Sequence, residues 1–175
     1  MLMLSQWLNG GPMRQEKDEA VGEGSRCHCT ALRKASRRIS LLYDGALAPS
    51  GLKTTQRAIL VQIARSGATT VGSLAEALVM DAGALAHTLK PLERDGLVAI
   101  GTDPDDRRTR RITLTARGRK RLAHSDELWE NAQRGFEAAF GRTASEDLRE
   151  AMRVLVSGEF IAAFEDSMSP AGKKS

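Results

Sequence analysis

Apolar residues recur every three or four positions along most of the chain, and this spacing predicts a mainly helical fold. Proline, glycine or a polar capping residue interrupts the pattern at intervals and marks where each helix ends. Either Thr54 or Thr55 is suited to cap the second helix, and Pro91 inside the fourth predicts a kink. The predicted helices cover residues 29–48, 54–65, 71–78, 82–94, 116–140 and 143–164.

The spacing changes to an alternation of two after Gly96. Leu97–Ile100 and Arg111–Thr115 are predicted to be paired strands, joined by a polar hairpin tip over residues 103–110. A helix, a turn, a longer helix and then a two-stranded hairpin is the order of elements in a winged helix-turn-helix. The fold class is therefore predicted to be mainly α with a small β wing.

The distribution of charge then indicates duplex DNA as the partner. The net charge is +4, and the segment Asp103–Arg121 holds eight basic and three acidic residues. Such a segment can neutralise several phosphates of duplex DNA, with the second helix in the major groove and the hairpin in the minor groove. Aromatic residues make up only 4% of the chain, which argues against stacking on single-stranded nucleic acid.

Four short motifs in this order resemble the MarR family of bacterial transcriptional regulators. They are Leu74-Ala75-x-x-Leu78, Leu92-Glu93-Arg94-Asp95-Gly96-Leu97-Val98, Asp103-Pro104-x-Asp106-Arg107-Arg108 and Leu114-Thr115-x-x-Gly118. The resemblance implies a homodimer that binds a pseudo-palindromic operator, acts as a repressor and is released by a small-molecule effector. The two cysteines do not form a disulfide framework, so a reducing cytoplasm is the expected compartment. No cofactor or metal is implied, and no membrane partner.

The resemblance also implies a division of the chain. Residues 25–167 are expected to form one MarR-like domain, with a winged helix over 53–115 and N- and C-terminal dimerisation helices over 26–48 and 116–165. Residues 1–24 are predicted to be a disordered extension, within which Met13 is an alternative start, and 168–175 a polar tail.

DNA contacts are expected from two elements. In the wing, the resemblance implies that Asp106 orients Arg108 for the minor groove, beside Arg107 and Arg110. The recognition helix departs from the family pattern, because it lacks the usual arginine and offers mainly His87, Thr88 and Lys90. Ala84 is an alternative reader of thymine methyl groups.

The sequence defines the effector less clearly than it defines the DNA contacts. Cys29, followed by Thr30-Ala31-Leu32, resembles the reactive cysteine of the organic hydroperoxide repressors (the OhrR-type branch), with Tyr43 matching a tyrosine that hydrogen-bonds it and Arg37 nearby. A second tyrosine of that branch is Arg33 here. Oxidation to a sulfenic acid and then to a disulfide with Cys27 or with a small thiol would be the switch.

The same stretch allows three further interpretations. Cys29 could be merely a small residue in a helix interface, or Cys27, His28 and Cys29 could clip a metal, although no second ligand pair follows at zinc spacing. Alternatively a small molecule binds between the dimerisation helices and the winged domain. Candidate polar lining groups are Tyr43, Arg37, His124 and Trp129.

An enzyme and a protein-interaction module are less well supported than a DNA-binding regulator. Neither His87 nor His124 has a nucleophile partner in sequence, and there is no glycine-rich phosphate loop, so the chain is predicted not to be an enzyme. A protein-interaction module that does not bind DNA is the remaining rival, and it is favoured by the scarcity of base-reading side chains in the recognition helix.

Overall fold

The computed structural model describes residues 26–103 and 109–169. The predicted fold class is confirmed: helices dominate, and the strands form one antiparallel hairpin. The described elements are α1 (His28–Leu47), a 3₁₀ turn (Ala48–Ser50), α2 (Thr54–Ser66), α3 (Val71–Ala77), α4 (Ala82–Arg94), β1 (Val98–Thr102), β2 (Arg110–Leu114), α5 (Ala116–Phe140), α6 (Arg142–Leu155) and α7 (Gly158–Met168).

These elements form two compact units, one ending at Ala132 and the other beginning at Gln133. The first unit has a continuous apolar core, to which α2, α3, α4 and the hairpin each contribute the apolar side predicted by the pattern. The buried residues of this core are Leu52, Ile59, Leu60, Ile63, Leu74, Ala75, Leu85, Leu89, Leu92, Leu97, Val98 and Ile112.

The hairpin is a little displaced from its predicted position. Val98 pairs with Leu114 and Thr102 with Arg110, so each strand has five residues. Leu97 stays outside the ladder because its N–H donates to the Leu92 carbonyl, which ends α4 in a tight turn. Thr69 adds a further bridge to Ile112 on the other edge of β2.

The start of α2 differs from the prediction that a threonine caps it. The capping position is Lys53, and its N–H donates to Oε1 of Gln56 at 2.9 Å. Thr54 is the first helical residue instead, and both its N–H and its hydroxyl donate to Oδ1 of Asp44 at 2.7 Å. Thr54 therefore ties the start of α2 to the last turns of α1.

The prediction of one final helix is wrong, since two helices follow α5. The chain leaves the helical path after Leu155, and Ser157 begins a new helix by accepting a hydrogen bond from the N–H of Phe160 at 3.2 Å. A serine at the capping position is a recognisable helix start. The long apolar periodicity across residues 143–164 masks this signal in the sequence.

The junction between the wing and α5 explains the Leu114-Thr115-x-x-Gly118 motif. The hydroxyl of Thr115 donates to the carbonyl of Gly96 at 2.7 Å and accepts from the N–H of Gly118 at 2.9 Å. A Cβ at Gly118 would overlap the carbonyl oxygen of Leu97. Only glycine lets α5 approach the end of α4 so closely.

Candidate nucleic-acid interface

The position of helix α4 suits contact with a partner at its N-terminal end. The carboxylate of Asp81 caps the helix by accepting from the N–H of Ala84 at 3.0 Å, as the break at Met80–Asp81 predicts. Leu85, Leu89 and Leu92 are buried in the core, which turns the opposite face of α4 outward. Pro91 lies within the helix without ending it.

Three basic residues share the outward face of α4. His87 and Lys90 were predicted as DNA contacts, and both are exposed. Arg94 lies seven residues beyond His87 on the same face, and sequence reasoning missed it although the spacing was visible. Its Nε is 3.0 Å from Oδ1 of Asp95, so part of its charge is compensated locally.

This face borders an open groove of about 710 Å³ between α4 and the start of α2. The groove brings together three predicted DNA-contact residues with others that were not singled out from the sequence. Its described lining residues are Lys53, Thr55, Gln56, His87, Thr88, Lys90, Pro91 and Arg94, and none of these is acidic. The two lysines and the arginine make the groove a favourable surface for phosphate groups.

Thr88 and Ala84 offer weaker recognition. The hydroxyl of Thr88 donates to the carbonyl of Ala84 at 3.0 Å, so its hydrogen is already engaged. Its oxygen can still accept, which suits the exocyclic amino group of adenine or cytosine. Ala84 is exposed one turn before it and can present only a methyl group.

The base of the wing is held by an ion pair. Asp103 is buried and pairs with Nε of Arg111, and its N–H donates to the Thr109 carbonyl at 2.9 Å. Arg110 is exposed at the start of β2, as a DNA contact requires. The predicted contacts Asp106, Arg107 and Arg108 lie outside the described residues.

A further cluster, which the sequence did not predict, joins α2 to α5. Arg57 is 13% exposed, donates from Nε to Ser125 Oγ at 3.1 Å and from Nη2 to Asp126 Oδ1 at 2.7 Å. Its guanidinium also lies 4.7 Å from the ring centroid of Trp129, within cation–π range. Trp129, predicted as a possible effector contact, is thus a contact of Arg57.

The predicted redox residues lie on α1. Cys29 and Arg37 are exposed and Tyr43 is half-buried. Cys27, not Cys29, is the capping residue of α1, and its Sγ accepts from the N–H of Thr30 at 3.4 Å. Hydrogen bonds from the side chain and then the backbone of Thr30 lower the pKa of the Cys27 thiol from its ordinary value.

Metal-binding and membrane-spanning features are both missing from residues 26–103 and 109–169. No cluster of three or more His, Cys, Asp or Glu side chains suited to hold a metal ion occurs there. Nor does any helix of those ranges combine the length and apolarity needed to cross a membrane.

A capped helix at the end of a helix–turn–helix, a basic outward face and an adjacent hairpin define a winged helix-turn-helix protein. The MarR family model matches residues 52–109, which run from the start of the core to the wing. The chain is 38% identical over 77 residues to the transcriptional activatory protein BadR of Rhodopseudomonas palustris. That match covers 42% of this chain and 44% of BadR.

Solved structures extend the likeness over most of the chain. The transcriptional regulator MosR of Mycobacterium tuberculosis, solved in complex with DNA, is 33% identical with a TM-score of 0.61, covering 75% of this chain and 99% of MosR. The repressor CouR bound to a 23-mer duplex has a TM-score of 0.71 at 24% identity, over 78% of this chain and 96% of CouR, and shares the fold. The chain belongs to the MarR family.

Proposed function

We propose that this protein is a dimeric, cytoplasmic, sequence-specific DNA-binding transcriptional repressor that a small-molecule effector releases from its operator, and that it is not an enzyme. The observation that carries the proposal is the outward face of α4, where His87, Lys90 and Arg94 line a groove beside the start of α2. The likeness to MosR, solved with DNA, supports it.

Each DNA contact then has a distinct part. Lys90 and Arg110 bind phosphates, because both are exposed cations on the two elements that approach DNA. His87 and Thr88 read base edges, and Ala84 contacts a thymine methyl group. In the wing, the resemblance assigns Arg108 to the minor groove, oriented by Asp106, with Arg107 on the backbone. Because His87, Thr88 and Ala84 do not make the bidentate contact that discriminates best, the wing and DNA shape carry much of the specificity.

Dimerisation is supported by the apolar residues that each unit leaves uncovered. In α7, Phe160, Ile161 and Phe164 are 38%, 49% and 57% exposed, and in α1 Leu41 and Leu42 are 67% and 61% exposed. Apolar side chains exposed in such numbers mark a protein interface rather than a solvated surface. A second copy of the chain buries these residues. It also provides the second winged helix that the other half of a pseudo-palindromic operator requires.

DNA binding is tested by the salt dependence of affinity for a duplex from the gene's own upstream region. Lys90→Ala and Arg110→Ala should each reduce the slope of log Kd against log salt by about one, because each removes one phosphate contact. Lys34→Ala, on the exposed surface of α1, is the matched control and should leave the slope unchanged. Arg108→Ala should weaken binding most, through the minor groove. An affinity indifferent to salt and to all these changes would instead favour a protein-interaction module.

A thiol switch is a second candidate function, favoured by the position of Cys27. Its backbone is extended, with φ −77° and ψ 105°, so it stands outside the helix that Cys29 occupies. A disulfide between the two residues is therefore less constrained than it would be inside one helical turn. In this proposal the Cys27 thiolate attacks an organic hydroperoxide, giving a sulfenic acid and an alcohol, and the Cys29 thiol then forms the disulfide and releases water.

The thiol switch is tested with cumene hydroperoxide added to the DNA complex. The wild type should release DNA, whereas Cys27→Ser should not and Cys29→Ser should stop at the sulfenic acid. In Cys29→Ser, alkylation of Cys27 by iodoacetamide should begin at lower pH than in Cys29→Ser/Thr30→Ala, because Thr30 lowers the thiol pKa. Equal DNA release by the wild type and both single variants would exclude the switch.

A further inference from the structure

The first three turns of α5 carry a row of basic side chains. Arg117, Lys120, Arg121 and His124 are spaced three, four and seven residues apart, which places them on one face of the helix. Like charges at this spacing destabilise a helix by a few tenths of a kcal/mol per pair. Within the described ranges, none of the four is paired with a carboxylate. The repulsion between these basic side chains is therefore not offset by a carboxylate within the described ranges.

This basic row forms one wall of a cavity. The cavity has a volume of about 380 Å³, and Pro49 and Ser50, in the turn after α1, form its other wall. That volume lies within the range of roughly 300–1,000 Å³ typical of small-molecule sites. Since the walls come from the end of α1 and the start of α5, an occupant would touch both.

One of the four side chains is already fixed in place. Nη1 of Arg121 donates to the carbonyl of Ser50 at 2.7 Å. The same atom lies 2.6 Å from the position a Cβ would take at Gly51, whose φ is +71°, so a side chain there would displace the guanidinium and would also strain the backbone. A guanidinium held in this way keeps further N–H groups available and loses little freedom when it binds an anion.

Arg117, Lys120 and Arg121 belong to the basic segment expected to neutralise DNA phosphates, but their cavity lies at the base of the wing, away from the two elements to which DNA contacts are assigned. The far end of the hairpin strands, at Thr102 and Arg110, is five strand residues from the junction with α5, a separation of roughly 15 Å. Arg117 stands beside Gly96, with its Cδ 3.9 Å from the position of a Cβ there. Gly96 follows the C-terminal end of α4, about 20 Å from the capped end predicted to enter the major groove.

We infer that this cavity binds a small, multiply charged oxyanion, a phosphate-bearing molecule, through Arg117, Lys120, Arg121 and His124. The inference rests on the proposed function in one respect, namely that the anion would be the effector. By drawing α5 towards the turn after α1, the anion would change the orientation of the winged-helix region on DNA.

The inference is tested on the full chain without DNA, with sodium pyrophosphate as the probe. Thermal unfolding is followed as pyrophosphate is added, and sodium chloride at equal ionic strength provides the baseline. The wild type should show a saturable rise of Tm, because a ligand that binds only the folded state stabilises it. Arg117→Ser/Lys120→Ser should raise the apparent Kd at least about tenfold, since two charged donors are lost.

A control double variant, Lys34→Ser/Arg142→Ser, removes the same charge from exposed positions on α1 and α6 and should keep the wild-type Kd. A rise of Tm that does not saturate, or that is equal in both double variants, would overturn the inference. The same variants are then titrated with the upstream DNA duplex. If Arg117→Ser/Lys120→Ser instead lowers the salt slope by about two and pyrophosphate has no effect, the row contacts the DNA backbone and the inference is wrong. Pyrophosphate binding without any DNA binding would contradict the proposed function alone.

Discussion

The winged-helix core buries its apolar residues, whereas the helices α1, α6 and α7 leave many of theirs exposed. In the core, Ile59, Leu60 and Leu74 are completely buried by neighbours in the same chain. In α7, Phe164 and Met168 are 57% and 69% exposed, and no residue of that helix is buried. The core residues are covered by their own chain, whereas the exposed apolar residues of α7 mark a surface that we propose a second copy of the chain covers. In this proposal, stability and assembly are encoded in different parts of the sequence.

The largest expected effect comes from charging the uncovered face of α7. Phe160 and Phe164 stack with their ring centroids 6.3 Å apart. Phe160→Asp/Phe164→Asp should raise the dimer dissociation constant at least about 1,000-fold, because two charges would lose their hydration in the interface. Analytical ultracentrifugation measures the change, and circular dichroism should show the winged domain still folded.

Ala162→Asp is the control for that change, since residue 162 lies about 200° around the helix from Phe160. It adds a charge to α7 outside the stacked pair and should leave the dimer intact. A Phe160→Asp/Phe164→Asp protein that remains dimeric at micromolar concentration would show that α7 is not part of the interface.

The next effect separates the two regions by their dependence on protein concentration. Leu60→Ala should lower the free energy of unfolding by about 3 kcal/mol, because it leaves a cavity in a core that is already closed. Leu41→Ala, at a position 67% exposed in one chain, should act only through dimerisation. Urea denaturation at about 1 and 50 µM protein distinguishes them. The loss at Leu60 should be the same at both concentrations. A loss at Leu41 that is equally independent of concentration would contradict the division between the two regions.

A smaller effect is expected at the junction where the wing meets α5. In Gly118→Ala the new methyl group would overlap the carbonyl of Leu97 and lie 2.8 Å from Cδ1 of Leu114. The backbone must shift, at a cost of about 2 kcal/mol. Gly135→Ala is the matched control, because a Cβ there meets nothing within 4 Å. Thermal unfolding should show a lower Tm for Gly118→Ala and an equal or higher one for Gly135→Ala.

Local sequence patterns predicted most of the helices and strands. The features that they did not predict depend on contacts between residues distant in the sequence. Asp81 and Gly96 mark the two ends of α4 through their own capping and turn chemistry, so the sequence alone sufficed there. Arg57 and its partners Ser125 and Asp126 are 68 and 69 residues apart, and no local pattern announces such a cluster. The basic row of α5 was visible as charge, but the turn that makes it a cavity becomes apparent only in three dimensions.

The smallest expected effect is a stabilising one, and it concerns Val79 in the turn between α3 and α4. Its φ is +51°, a conformation that a β-branched residue adopts at a cost of about 1–2 kcal/mol. Its side chain is 75% exposed, so almost no burial offsets that strain. Glycine relieves the strain but loses more backbone entropy, and Val79→Gly should therefore stabilise the winged domain by only about 0.5–1 kcal/mol.

Chemical denaturation measures the change, with Val154→Gly as the control: that valine is half-exposed within α6, where glycine should destabilise. If Val79→Gly raises stability but weakens DNA binding, the strained valine sets the angle at which α4 leaves the turn. Strain would then be retained in the self-sufficient region for function, as uncovered apolar surface is retained in the other region for assembly. If Val79→Gly is destabilising, contacts of the valine side chain outweigh the strain, and the turn belongs to the core rather than to its surface.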